Sequence, residues 1–351
     1  MKNLKVRIFV RHLYKFLAVT LFFFSFFCIS NAQTTVKAQT GDGIYSLLKR
    51  HGLSPSEYLD QFIELNKPNL GKDNSLFVGR SYKLPVAKAA ASSAPAVSSS
   101  ESGSSSGGTA YDIFGSKYKF VSRKDNQLAG AVYYLVSGHG GPDPGAIGHF
   151  GSHMLCEDEY AYDVTLRLAR KLLEHGALVY LIVRDENDGI RDESILRHDR
   201  DEVCYPALPI PRSQVGRLRQ RKDAVNNLYA KNKGYVQRLV EIHVDSRSKG
   251  QNIDVFFYHD KGSSTGKKLA VNLHQTFKQK YDYHQPSRGY QGTVSDRNLY
   301  MLKYSYPAAV FIELGNINHT RDQQRFMITD NRQAIANWLA EGLIKDLKNN
   351  R

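Results

Sequence analysis

Two histidines and two glutamates stand where one site could collect them. His139 lies in LVSGHGGPDPGAIG, residues 135–148, directly after an apolar run. His243 lies near the end of a second apolar run, in EIHVDS, residues 241–246. Glu313 lies at the end of a third, in VFIELGNINH, residues 310–319. Glu157 follows the glycine-rich stretch at the head of a helical pattern. Two imidazoles and one carboxylate with a fourth position open make a catalytic zinc set. Such an ion brings the pKa of its water to about 7. A further carboxylate can take that water's proton and pass it to a leaving amine.

The stretch around His139 holds five glycines in fourteen residues. A phosphate loop would end in Lys and Ser or Thr, and neither is present. A metal site gives the glycines a use, since they let backbone approach metal and substrate without side-chain clash.

The surrounding pattern positions these residues. A strand is expected at 131–136. A helix follows at 157–175, with Ala161, Val164, Leu168 and Leu172 on one face and Gly176 past its end. A buried strand is expected at 177–183, then a polar, proline-bearing surface insertion at 184–212. Further expectations are a helix at 213–229, strands at 239–244 and 252–258, a helix at 265–281, a strand at 308–313 and a helix at 331–347. This alternation predicts an α/β fold with a largely parallel twisted sheet flanked by helices. Ligands in such sheets sit beyond the carboxyl ends of the strands.

The chain opens with Lys2, Lys5, Arg7, Arg11 and Lys15, an apolar run at 16–29, and Ser30-Asn31-Ala32. That is the pattern of a secretory signal, 1–32, cleaved before Gln33. Cys28 follows Ser-Phe-Phe, which is not a lipoprotein signal. Removing five basic and no acidic residues takes the net charge from +14 to +9. An exported basic protein meets anionic wall polymer or lipid headgroups, and nucleic acid is excluded as a partner there. Cys156 and Cys204 remain; they either pair or stay as buried thiols, and no CxxC spacing is present.

Residues 86–109 are dominated by Ala, Ser and Gly and read as a flexible linker. The linker separates a module at 36–85 from a domain at 110–351. In the module, Asp42 is placed to cap a helix carrying Ile44, Leu47 and Leu48, which Gly52 ends. Ser54 opens a second helix bearing Tyr58, Phe62 and Leu65, and LFVGRSYKLP, 76–85, supplies a closing strand. This β-α-α-β order, with GDGIYSLLKRHG, ELNKPN and VGRSYKLP, resembles the LysM module. The resemblance implies binding of N-acetylglucosamine-containing glycans.

In the large domain, GHGGPDPGAIG, the Glu-led helix before Gly176, LRQRKDAVN, EIHVDS and PAAVFIELGNIN together resemble the amidase-3 family. These are zinc-dependent N-acetylmuramoyl-L-alanine amidases, and the likeness spans about 131–347. It implies Zn²⁺ held by His139, Glu157 and His243, with Glu313 catalytic. Glu159, on the same helix start, is the rival to Glu157. Arg221, in LRQR, matches a family arginine, and Arg297 precedes the strand-like LYML, 299–302; either fork suits a substrate carboxylate. The chain departs from the family at Val136-Ser137, Asp245 and Asn316, which bear on specificity.

The implied partner is peptidoglycan, its glycan on the LysM module and its stem peptide at the catalytic cleft. The implied activity is cleavage between N-acetylmuramic acid and L-alanine by an exported enzyme in periplasm or wall. Two other readings stand beside it: a zinc peptidase acting within the stem peptide, and a catalytically silent wall-binding scaffold. A protein activator and a gating role for 184–212 are left open.

Overall fold

The computed structural model describes residues 34–85 (without 40, 41, 43, 52, 54 and 72–74), 108–246 and 253–350. The expected leader, linker positions 86–107, Gly52 and Ser54 lie outside the described residues. The described residues fall into two compact units, divided between 85 and 108.

The small unit runs strand Thr35–Lys37, helix Ile44–Arg50, helix Pro55–Asn66, strand Ser81–Lys83. The two strands pair antiparallel, with Val36 opposite Tyr82. Leu47, Leu48, Phe62 and Tyr82 make its core. Buried Asn66 ties the second helix to the closing strand. Its amide donates to the carbonyls of Phe62 and Lys83, at 2.9 and 2.8 Å, and its oxygen accepts from the Lys83 N–H at 2.7 Å. Asp42, expected as a cap, accepts from the Gln39 N–H and pairs with Arg50. The closing strand is shorter than expected, with Phe77 and Val78 exposed ahead of it.

The large unit is built on a six-stranded sheet. Its strands are β1 (Ala131–Ser137), β2 (Leu178–Leu181), β3 (Val236–Asp245), β4 (Phe256–His259), β5 (Val294–Asp296) and β6 (Ala308–Asn316). Its main helices are α1 (Glu157–Glu174), α2 (Gln214–Lys231), α3 (Ser264–His284) and α4 (Thr329–Asn349). The strand order is β5-β4-β6-β3-β1-β2. The β6-β3-β1-β2 pairs are parallel. Both faces of this core are covered, so β1 is buried at all seven positions and reads as a continuous apolar run.

Alternation along the strands sorts side chains onto two layers. Tyr133, Leu135, Val240, Ile242, Val310 and Ile312 pack with the apolar stripes of α1, α3 and α4. Tyr134, Val136, Leu239, Ala309 and Phe311 pack on the other face, with Val225 and Leu228 of α2.

Four expectations change. The strand expected at 252–258 is shorter, and it runs antiparallel to β6. The strand expected to be buried at 177–183 is the sheet edge, only half-buried, and it breaks at Ile182. LYML lies not in a strand but across the start of a short helix, Tyr300–Tyr304. The 184–212 segment is no mere surface loop. Asp185, Ile190, Leu196, Glu202 and Cys204 are buried, and Val203–Cys204 pairs with Val183–Arg184 and Leu208–Pro209. Polar composition hid this, because its acidic and basic groups are paired inward. Cys156 and Cys204 are buried, unpaired thiols. Among the described residues, no helix is long and apolar enough to cross a membrane.

Candidate active site

Strand β1 delivers the chain into the glycine loop at its carboxyl end. His139 sits there at φ 59°, in the left-handed region that side chains seldom adopt. A Cβ on Gly138 would lie 2.4 Å from the His243 ring. A Cβ on Gly145 would lie 2.7 Å from both Glu157 Oε2 and the His139 ring. Both glycines are therefore demanded by close approach, and Gly145 also by its φ of 70°.

Glu157 opens α1 and fills the gap between the two imidazoles. Its Oε2 lies 3.2 Å from His139 Nε2, and its Oε1 lies 2.9 Å from His243 Nδ1. Two backbone N–H groups aim the same carboxylate: Ala146 donates to Oε2 at 2.8 Å, Val244 to Oε1 at 3.0 Å. Burial opposes its charge, but the two imidazoles hold the carboxyl well below its usual range. The position at a helix N-terminus favours the same charge.

His243 is half-buried between Glu157, Glu241 and the ring of Phe311, which stacks on it at 4.3 Å. Burial opposes its charge, yet Glu157 and Glu241 outweigh burial and raise its pKa to about 10. Its Nε2 stands 3.5 Å from Glu241 Oε1. For His139, burial is likewise outweighed by Asp143 and Glu157, so its pKa is raised. His139 Nδ1 lies 2.9 Å from Asp143 Oδ2. An ionised Asp143 accepts only, so Nδ1 carries the proton and Nε2 keeps its lone pair for a ligand.

Ligand atoms of His139, Glu157 and His243 lie within 4.8 Å of one another. Two imidazole nitrogens and a carboxylate oxygen, already converged, fit a divalent metal of the zinc class. Glu313 lies one strand over, directly opposite His243 in the parallel ladder. Its Oε2 is buried with no hydrogen-bond partner. Burial pushes its pKa up to about 8, Glu157 and Asp245 add to the rise, and His243 opposes it. A carboxyl poised near neutral pH beside a metal set is suited to proton transfer.

Residues 134–345, more than half of the sequence, match a family model described as N-acetylmuramoyl-L-alanine amidase. The chain belongs to that amidase family. It is therefore an enzyme of the family that hydrolyses peptidoglycan amides. Similar solved structures include the amidase CwlD from Clostridioides difficile, solved with the GerS lipoprotein. It is 20% identical, covers 62% of this chain and 98% of its own, and has a TM-score of 0.46. The amidase AmiC2 of Nostoc punctiforme is 19% identical over 63% of this chain and 99% of its own, at TM-score 0.45. Ami1 from Mycobacterium smegmatis is 16% identical over 63% and 99%, at TM-score 0.47. No curated protein matches the sequence.

At the candidate site, Glu159 turns away from His139 and His243. It pairs with Arg191 at 2.9 Å and accepts from the Asp199 N–H at 3.1 Å. Arg221 is buried, and its guanidinium donates to the carbonyl of His139 from behind the loop. Arg297 is exposed and lies over the Tyr258 ring at 4.8 Å. Sequence reasoning missed Asp143, Arg217 and Glu241. Arg217 holds Asp143 at 2.5 Å, and so fixes the group that orients His139. Glu241 had a readable signal, since it lies two residues before His243 on the same strand face. Arg217 had none, because its partner is 74 residues away.

Proposed function

We propose that this protein is an exported, zinc-dependent N-acetylmuramoyl-L-alanine amidase with an N-terminal LysM glycan-binding module. The convergence of His139, Glu157 and His243 beside Glu313, inside the family-matching region, carries the reading. These three side chains would hold Zn²⁺, and Glu313 acts beside them. The chemistry such an ion would supply, once held there, is polarisation of the scissile carbonyl and acidification of the attacking water.

The protein's own groups do the rest. Asp143 keeps the His139 proton on Nδ1, and Arg217 keeps Asp143 in place. Arg221 and the glycines set the loop that carries His139. Glu313 takes the proton of the attacking water and returns it to the departing L-alanine nitrogen. The exposed Arg297 fork is a candidate holder of a stem-peptide carboxylate. The leader pattern, mature basic charge and wall substrate support action outside the cytoplasm. The β-α-α-β unit, closed by Asn66, supports the LysM reading. Joined to the catalytic domain through the Ala-, Ser- and Gly-rich stretch at 86–109, it raises the local concentration of substrate.

The test is mass spectrometry of purified peptidoglycan after incubation with the full chain, with and without a zinc chelator. Stem peptides beginning at L-alanine, lost on chelation and restored by zinc, are expected. Products cut within the stem peptide would replace the amidase reading by a peptidase one.

A further inference from the structure

A second group of ligand-type side chains gathers at the head of α1. Cys156, Asp158 and His198 each present one ligand atom, and these lie within 4.8 Å of one another. The first two flank Glu157 in the chain, while His198 comes from the 184–212 segment. Cys156 is 1% and Asp158 2% exposed. Asp158 Oδ1 accepts from the Glu159 N–H at 3.0 Å, but its buried Oδ2 has no hydrogen-bond partner. His198 Nδ1 is also buried without a hydrogen bond, 3.7 Å from Asp158 Oδ2 and 3.4 Å from Glu159 Oε1. A dry carboxylate oxygen and an imidazole nitrogen, facing each other beyond hydrogen-bond reach, are both costly to leave unsatisfied.

The charge balance points the same way. Carboxylate oxygens of Asp158, Glu159 and Glu202 also lie within 4.8 Å of one another. Arg191 pairs with Glu159, and Glu202 is engaged by the Gly141 N–H at 2.6 Å. Three carboxyl groups this close need either protons or a cation to offset their mutual repulsion, and an ion held beside them supplies the second.

We propose that Cys156, Asp158 and His198 form a second metal site, which takes a divalent ion of the zinc class. A thiolate, an imidazole and a carboxylate are a zinc set and are too soft for magnesium or calcium. The ion ties the first turn of α1 to the 184–212 segment. That segment in turn holds the glycine loop through Glu202 and Gly141. The role is structural: it fixes the element that carries Glu157.

The full chain, loaded with zinc and freed of excess, should hold two equivalents by elemental mass spectrometry. His198→Ala and Cys156→Ser should each hold one. Cobalt substitution separates the sites, because the His139/Glu157/His243 set has no sulfur. A sulfur-to-cobalt charge-transfer band is expected in wild type, in Cys204→Ser and in His243→Ala, and is expected to vanish in Cys156→Ser. Circular dichroism checks folding, and if Cys156→Ser does not fold, His198→Ala carries the test. One equivalent in the wild type without a sulfur band, two in His198→Ala, or a sulfur band that survives Cys156→Ser would overturn the proposal. Because the band is read in His243→Ala, failure of the catalytic assignment is distinguishable from failure of this one.

Discussion

His243 and Glu313 are direct neighbours across the parallel β3–β6 ladder. One register step on either strand would turn one of them to the opposite face. The pairing places an imidazole that meets Glu157 beside a buried carboxyl whose Oε2 has no hydrogen-bond partner.

Glu313→Gln keeps shape and burial but cannot move a proton. Hydrolysis of peptidoglycan should fall roughly 10²- to 10⁴-fold, the range of general acid–base catalysis. Bound metal should be unchanged. Turnover near the wild-type rate would remove Glu313 from the mechanism.

His243→Ala and Glu157→Gln should each lose both hydrolysis and the metal it needs. Glu159→Gln should keep that metal, because Glu159 is committed to Arg191 and the Asp199 N–H. Its effect belongs on the 184–212 segment, as faster hydrogen exchange there. Metal loss in Glu159→Gln with retention in Glu157→Gln would exchange their roles.

Asp163 is a buried charge hub. It accepts from Arg167 Nε at 2.7 Å, Arg332 Nε at 2.6 Å and the Arg191 N–H at 2.8 Å. Asp163→Ala leaves two buried guanidinium groups without their shared anion and should cost about 3–5 kcal/mol. Denaturant unfolding measures this, and a loss under about 1 kcal/mol, the range of an exposed pair, would refute the hub.

Asp192 predicts part of the acid stability. Burial works against its charge, but Lys117, Tyr118 and Arg167 bring its pKa down to about 2 from an ordinary 3.8. A depressed folded pKa gives stability that is complete above the ordinary value. It is lost as pH falls from there through about 2. Asp192→Asn should therefore lower stability at neutral pH and flatten its decline between those limits. Coincident acid-unfolding curves for variant and wild type would contradict this.

Much of the site was legible before folding. Glycines crowded around His139 announced close approach, and Gly138 and Gly145 are where a Cβ would strike the two imidazoles and Glu157. The three apolar runs announced strands ending in His139, His243 and Glu313. Periodicity and glycine content are local properties, so sequence carries them directly. The same locality gave α1 its apolar stripe and Glu157 its place at the helix start.

Tertiary structure alone decided the partners. Whether Glu157 or Glu159 faces the histidines depends on Arg191, which arrives from a segment whose polar composition reads as surface. That Arg217 holds Asp143, that Arg221 spends itself on a carbonyl, and that β4 runs against β6 are all pairings across long sequence distances. Charges and strand edges accept many partners of the same kind. Only the packed sheet, by fixing which faces meet, selects one.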